Sequence, residues 1–309
     1  MRNSIRFSHL HPLLLLLLLT SVLNCSGVSS PTSHPQAQVL PQRIISLAPS
    51  ITEVLFALGL ADRVVGVTRY CDYPHAAREK AEIGGYFDVN YEAVMVLDPD
   101  IAIHIKEHED ARARLSELGV QTLSVDHSGV QGILESITTI AERCGIEEKG
   151  NELRISLEER ISMIQKNVSF ASPRPRVLVT VGRSLRTGES GEIYVSGRDG
   201  FYDDLIRLAG GKNAYREETL KFPVLSSEGL ARLDPDIIIE MIPEQPADKD
   251  RNLLLARWES IPGLTAVREG RVHIIAGDHV VVPGPRFIDL LENMVEIIHG
   301  KNQNRENGK

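Results

Sequence analysis

The chain has 309 residues, 42% of them hydrophobic, and a formal net charge of −8 from 34 Lys plus Arg against 42 Asp plus Glu. That length holds one large or two medium domains, and the composition excludes both a wholly disordered chain and a multi-span membrane protein. The acidic balance argues against a nucleic-acid binder, and 3 Cys exclude a disulfide scaffold or a Cys-rich zinc module.

Arg2 and Arg6 precede seven consecutive leucines, Leu13 to Leu19, and then small and polar residues lead to Cys25. The apolar run is too short to span a bilayer. Its flanks predict a secretory signal peptide over 1–24, hence a chain exported to the periplasm or cell surface. Val22-Leu23-Asn24-Cys25 is similar to a lipobox, departing from it at Asn24, and implies lipidation of Cys25 and a membrane anchor. Residues 25–41 are rich in Ser, Pro and Gln and read as a flexible tether. Cys71 and Cys144 then remain, either bridged to each other or left as two buried thiols.

The folded part starts with a β-rich run at Arg43 to Leu47. Ser50 and Glu53 have capping-box spacing ahead of a helix that stops at Gly59. Strands are predicted over 63–67, 101–105 and 121–125, with a helix over 110–118. Residues 147–170 carry Leu153, Ile155, Leu157, Ile161, Ile164 and Val168 among many charges, which predicts one long helix. Ser172-Pro173-Arg174-Pro175 ends it. Strands at 176–181, 237–240 and 272–275 and helices at 199–208 and 286–299 complete the pattern. Apolar strands alternating with helices predict an α/β fold with mostly parallel, covered sheets. The expected organisation is an N-terminal lobe over 42–146, an interlobe helix over 147–172, a C-terminal lobe over 173–300 and a polar tail over 301–309.

One segment recurs. Leu97-Asp98-Pro99-Asp100-Ile101 returns as Leu233-Asp234-Pro235-Asp236-Ile237, once on each side of the long helix. Asp-Pro breaks a helix and the isoleucines open a buried strand. Glu92 and Glu228 stand at the same offset before the two copies, near a helix start, where the dipole favours a carboxylate.

These features together resemble the substrate-binding proteins of bacterial ABC importers in which one rigid helix joins two lobes. The resemblance covers roughly 42–300. Tyr70-Cys71-Asp72-Tyr73-Pro74 and Gly284-Pro285-Arg286-Phe287 add to it, and it is nearest to the cobalamin (vitamin B12)-binding members. It implies two Rossmann-like lobes with the ligand in the cleft between them, no catalysis and no resident cofactor. It further implies a monomer that meets a permease dimer with ATPase subunits. Glu92 and Glu228 would dock on that permease, one from each lobe. Tyr70, Tyr86, Tyr194 and Phe222 would pack the ligand, with His279 in the last cleft loop. The loop 278–286 lacks the aromatic pair of the cobalamin binders, so haem and ferric siderophores stay open as ligands.

Two rival chemistries are weaker. His104-Ile105-Lys106-Glu107-His108 matches H-x-x-E-H, but His104 falls inside an apolar strand run and not on a helix face. A metal-ion carrier would use His104, His108, His127 or His279. No G-x-S-x-G, Walker A or G-x-G-x-x-G stretch supports a hydrolase or nucleotide enzyme.

Overall fold

The computed structural model describes residues 40–168, 173–183, 192–217, 220–261 and 263–300. The leader, Cys25 and the polar tail lie outside the described residues. In the first lobe, strands β1 (Ile44–Ser46), β2 (Val64–Val67), β3 (Ala81–Glu82), β4 (Ile101–Ile105) and β5 (Gln121–Val125) form one sheet. Its order is β3-β2-β1-β4-β5 and every pairing is parallel. Helices α1 (Pro49–Ala57), α2 (Tyr91–Val96) and α3 (Glu109–Glu117) lie in the crossovers, and α4 (Val130–Cys144) follows β5. Strand order reverses between β1 and β4, and α/β sheets bind ligands at the carboxyl ends of such strands.

Helix α5 (Glu147–Val168) follows. The second lobe carries β6 (Arg176–Arg183), β7 (Ile193–Val195), α6 (Phe201–Leu208), β8 (Lys212–Asn213), β9 (Val224–Leu225), α7 (Ser227–Leu233), β10 (Ile237–Ile242), α8 (Asp248–Glu259), α9 (Thr265–Arg268), β11 (Val272–Ala276) and α10 (Phe287–His299). The sheet order is β11-β10-β6-β7-β9, with β8 beside β6. Here β7 runs antiparallel to both neighbours, so this sheet is mixed.

The inner strands β1, β4 and β10 are covered on both faces, which is why they read as largely apolar runs. Ile44, Ile101, Ile103, Val177 and Val179 join a core shared by the two lobes, while Ile45, Ala102 and Leu178 turn to separate cores behind each sheet. Leu157, Ile161, Ile164 and Val168 of α5 enter the shared core at helical spacing. Ile155 is off that face and 52% exposed. Gly150 lets α5 close on α4: a Cβ there would stand 2.3 Å from the Ala141 Cβ. Farther along, Arg160 pairs with Asp289 and Glu292 of α10. The helix is therefore fixed at both ends, on one lobe and then the other.

The repeated segment is a structural joint used twice. Arg43 donates to the carbonyls of Leu97 and Asp98, and Arg176 donates to those of Leu233 and Asp234. Each arginine, at the start of the first strand of its lobe, closes the C-terminus of the short helix. Asp98 and Asp234 take left-handed φ values of 42° and 39°. Asp100 accepts from the Arg43 amide and Asp236 from the Arg176 amide.

One expectation is corrected, and one open alternative is settled. Ser50 and Glu53 form no capping box, because α1 starts two residues earlier than that box requires, with Ala48 as N-cap and Pro49 in the first turn. Both side chains are buried instead. Cys71 and Cys144 are free and buried. Cys71 Sγ sits 3.1 Å from Thr52 Oγ1 and 3.2 Å from Thr68 Oγ1, inside the first lobe.

Candidate functional site

A cavity of about 330 Å³ lies between the lobes. The first lobe supplies Ser50 from α1, Tyr86 and Phe87 from the loop after β3, and Ile105 and Glu107 at the end of β4. His127 and Ser128 follow β5. These are carboxyl ends on either side of the point where strand order reverses. The second lobe supplies Ser196 after β7, Phe201 and Tyr202 of α6, Lys221 and Phe222 ahead of β9, and Val281 and Pro283 after β11.

The walls are aromatic. Tyr86 meets Phe87 edge-on at 4.8 Å between centroids and His108 at 4.5 Å. Across the cavity Tyr202 meets Phe201 at 5.1 Å and Phe222 at 6.4 Å, also edge-on. Such contacts stiffen the rings and leave faces free. Tyr202 is buried and its hydroxyl donates to the Val280 carbonyl at 2.6 Å. Burial, with Glu107 adding to it, lifts the Tyr86 hydroxyl to about 12. Both phenols are thus neutral at physiological pH.

The polar groups of the inner end are fixed by a three-residue relay. Ser136 Oγ donates to the Ile133 carbonyl at 2.7 Å. His127 Nε2, 2.8 Å from Ser136 Oγ, therefore carries the ring proton and donates to it. His127 Nδ1 is then an acceptor, and Ser50 Oγ donates to it at 2.7 Å. Ser50 is left with acceptor capacity alone toward the cavity. Both ring nitrogens of His127 are engaged, so the ring is no free axial ligand for a metal.

Burial holds His127 at about 4 and, with His104 nearby, holds His108 at about 4 as well. Both lie below the ordinary histidine value near 6.5, so the unfolded chain takes up protons first as pH falls. Their contribution to stability is complete above pH 6.5 and is lost as pH drops from 6.5 through about 4. Between pH 6.5 and 5 the loss is on the order of 1–2 kcal/mol for each ring. Urea unfolding across that window checks it. His127→Gln should flatten the slope, and a pH-independent wild type over this range would contradict the assignment.

The lining brings Tyr86 and Phe222 together with one cavity. Tyr70, Tyr194 and His279 are not among its lining residues. Tyr194 alternates with buried Ile193 and Val195 along β7, so it takes the opposite, outer face. Tyr70 is 55% exposed, beneath Arg69. His279 folds back on Gly277, where a Cβ would stand 2.8 Å from its Nδ1. Sequence reasoning did not single out Phe87, Glu107, Tyr202 or Lys221 as ligand contacts, and weighed His127 only as a metal ligand. Glu107 and His127 stand two residues past predicted strand ends and could have been sought there; Phe87, Lys221 and Tyr202 carried no such signal.

Glu92 and Glu228 are exposed, each in the first turn of its short helix. Asn90 and Ser226 do the capping there, accepting from the Ala93 and Gly229 amides. The H-x-x-E-H residues divide between β4 and the 3₁₀ turn Lys106–His108, so the two histidines share no helix face. Among the described residues no group of three His, Cys, Asp or Glu could hold a metal ion. No described helix is long and apolar enough to cross a membrane.

The periplasmic binding protein family matches this chain over residues 44–278. The ABC transporter substrate-binding lipoprotein YvrC of Bacillus subtilis, itself uncharacterized, is 29% identical over 264 residues, 84% of this chain and 80% of its own. A cobalamin-binding protein of Halobacterium salinarum is 27% identical over 266 residues, 84% of this chain and 70% of its own. Among solved structures, a periplasmic haem-binding protein of Pseudomonas aeruginosa matches with a TM-score of 0.73 at 24% identity. That match covers 85% of this chain and 95% of the other, and the likeness is one of fold.

Proposed function

We propose a function from one premise: the chain belongs to the periplasmic binding protein family. It is a binding protein and not an enzyme. It captures a small molecule in the interlobe cleft and delivers it to the permease of an ABC importer. The ligand that the cleft chemistry favours is a neutral, amide-bearing macrocycle, a corrinoid such as cobalamin.

The observation that carries this reading is the charge balance of the cavity. Among the described residues lining it, the charged side chains are Glu107 and Lys221, and they are paired with each other at 3.0 Å. The rest are rings, aliphatic groups and hydroxyls. A haem brings propionates and an iron that asks for an axial ligand. A ferric siderophore complex commonly brings net negative charge. Neither finds an unpaired cation in that lining, and His127 has both nitrogens occupied. Carboxamides suit Ser50, which can accept their N–H, while ring faces suit the flat macrocycle. The Halobacterium salinarum relative supports the same class. A leader over 1–24 and a lipid on Cys25 belong to this reading, supported by the lipoprotein relative.

Titration of the purified protein with cyanocobalamin, haemin and a ferric siderophore, read by absorbance or calorimetry, tests it. Cyanocobalamin should bind. Tyr86→Ala and Phe222→Ala should each weaken that binding by ~0.5–1.5 kcal/mol beyond the lost area. Binding of haemin or the siderophore with no uptake of cyanocobalamin overturns the ligand. Unchanged affinity in both folded variants removes the rings from the binding site.

A further inference from the structure

Two ion pairs tie the lobes together around this cavity, and they differ in burial. Glu53 of α1 pairs with Arg286 at the head of α10, with side chains 3% and 16% exposed. Glu107 of the first lobe pairs with Lys221 of the second, with side chains 43% and 60% exposed. The first pair is locked inside the protein. The second stands in water at the mouth, where both of its members line the cavity. Phe87 and Phe222 flank it, one from each lobe, 77% and 50% exposed.

We propose that the Glu107–Lys221 pair is a latch across the mouth of the cleft, whose opening admits the ligand. An exposed ion pair is weak and salt-sensitive, so it can open and close freely where a buried pair cannot. Opening is needed on grounds of size: about 330 Å³ is near the bottom of the range for small-molecule sites. A macrocycle with side chains requires the rims to part. Because α5 and the buried pair hold the far side, the rims part by a small rotation about that side. The latch lowers the fraction of molecules open to ligand, and so lowers apparent affinity by that fraction. That it guards a corrinoid rests on the function proposed above; that it ties the rims together does not.

Hydrogen exchange on the ligand-free protein tests the latch without any ligand. Lys221→Met at low salt should speed exchange of residues 105–108 and 222–225 by about two- to five-fold, the range an exposed pair supports. Wild type at about 0.5 M salt should behave the same way. Lys106→Met is the control, because Lys106 pairs with Asp126 inside the first lobe at 2.6 Å. It should leave residues 222–225 unchanged. Cyanocobalamin titration supplies the second readout. Lys221→Met and Glu107→Gln should each tighten binding by about two- to five-fold, and the double variant should gain nothing further. Unchanged exchange in Lys221→Met overturns the latch. So does weaker binding in either single variant, which would make these side chains ligand contacts. Faster exchange with no cobalamin binding in wild type would leave the latch standing and remove the corrinoid.

Discussion

Replacing Arg286 by Met is expected to destabilise the protein by about 3–5 kcal/mol, the loss seen when one partner of a buried ion pair is removed. Arg286 Nη2 donates to Glu53 Oε1 at 2.5 Å, and its two Nη atoms grip Asp278 at 2.8 and 2.9 Å. The guanidinium also lies over the Tyr73 ring, 3.8 Å from its centroid. One side chain thus joins α1, the loop before α10 and the Tyr73 loop. Gly284 allows the close approach: a Cβ there would fall 2.7 Å from Glu53 Oε2. Burial, with the Asp278 charge adding to it, pushes the Glu53 carboxyl up against the pull of Arg286. Without the arginine, folding must leave that carboxylate unpaired or protonate it. The sign of the pH response follows. A folded pKa raised above the unfolded value gives stability at low pH that is lost as pH rises. The Arg286→Met deficit should therefore shrink as the pH is lowered. Adding Glu53→Gln should recover most of it at neutral pH. Urea unfolding of the single and double variants decides the matter. A single-variant loss under about 1 kcal/mol would show that the pair does not hold the lobes.

The sequence makes the α/β plan legible because fully covered parallel strands must be continuous apolar runs. Ile101 to Ile105 and Ile237 to Ile242 come close to such runs, each interrupted by one buried polar residue, His104 or Glu240. The long helix was equally plain, since Leu157, Ile161, Ile164 and Val168 keep one face. Strands β7, β8 and β9 have three or two residues, too few to show a period. Helix α4 is different: Val130, Ile133, Leu134, Ile137, Ile140 and Ala141 do carry a helical period, and that signal was not used. Trp258, the one tryptophan of the chain, is wholly buried and donates to Glu240 at 2.7 Å, so its role is in the core of the second lobe. The site was harder than the fold. A ring's position in the chain does not say which face of its element reaches the cleft; Tyr194 shows this on a three-residue strand. Ser50 and Glu53 show the converse. Their spacing fits a cap, but a two-residue shift of the helix start turns both inward, one to His127 and the other to Arg286.

Changing Glu92 and Glu228 together to Ala should abolish most uptake through the importer while leaving ligand binding in solution nearly unchanged. The argument runs from the duplicated joint. Each lobe presents a short helix whose C-terminus is held by an arginine at the start of the first strand and whose N-terminus is capped by Asn90 or Ser226. Because the caps are filled by other side chains, both glutamates remain exposed, and neither pairs with a described residue. Helix stability does not need them beyond about 0.3–1 kcal/mol of dipole interaction each. Neither touches the cavity lining. Two carboxylates at corresponding places on two lobes suit a partner with two corresponding surfaces, as a permease dimer has, and arginine forks can take them in bidentate fashion. Charges of this kind govern encounter and register more than the affinity of a distant site. Glu92→Arg with Glu228→Arg should be worse than the Ala pair, since like charges would then face each other. The measurement pairs ligand titration of the isolated variants with uptake by the reconstituted importer. Uptake that survives the double change, or binding that falls in step with it, would take the two glutamates out of the docking surface.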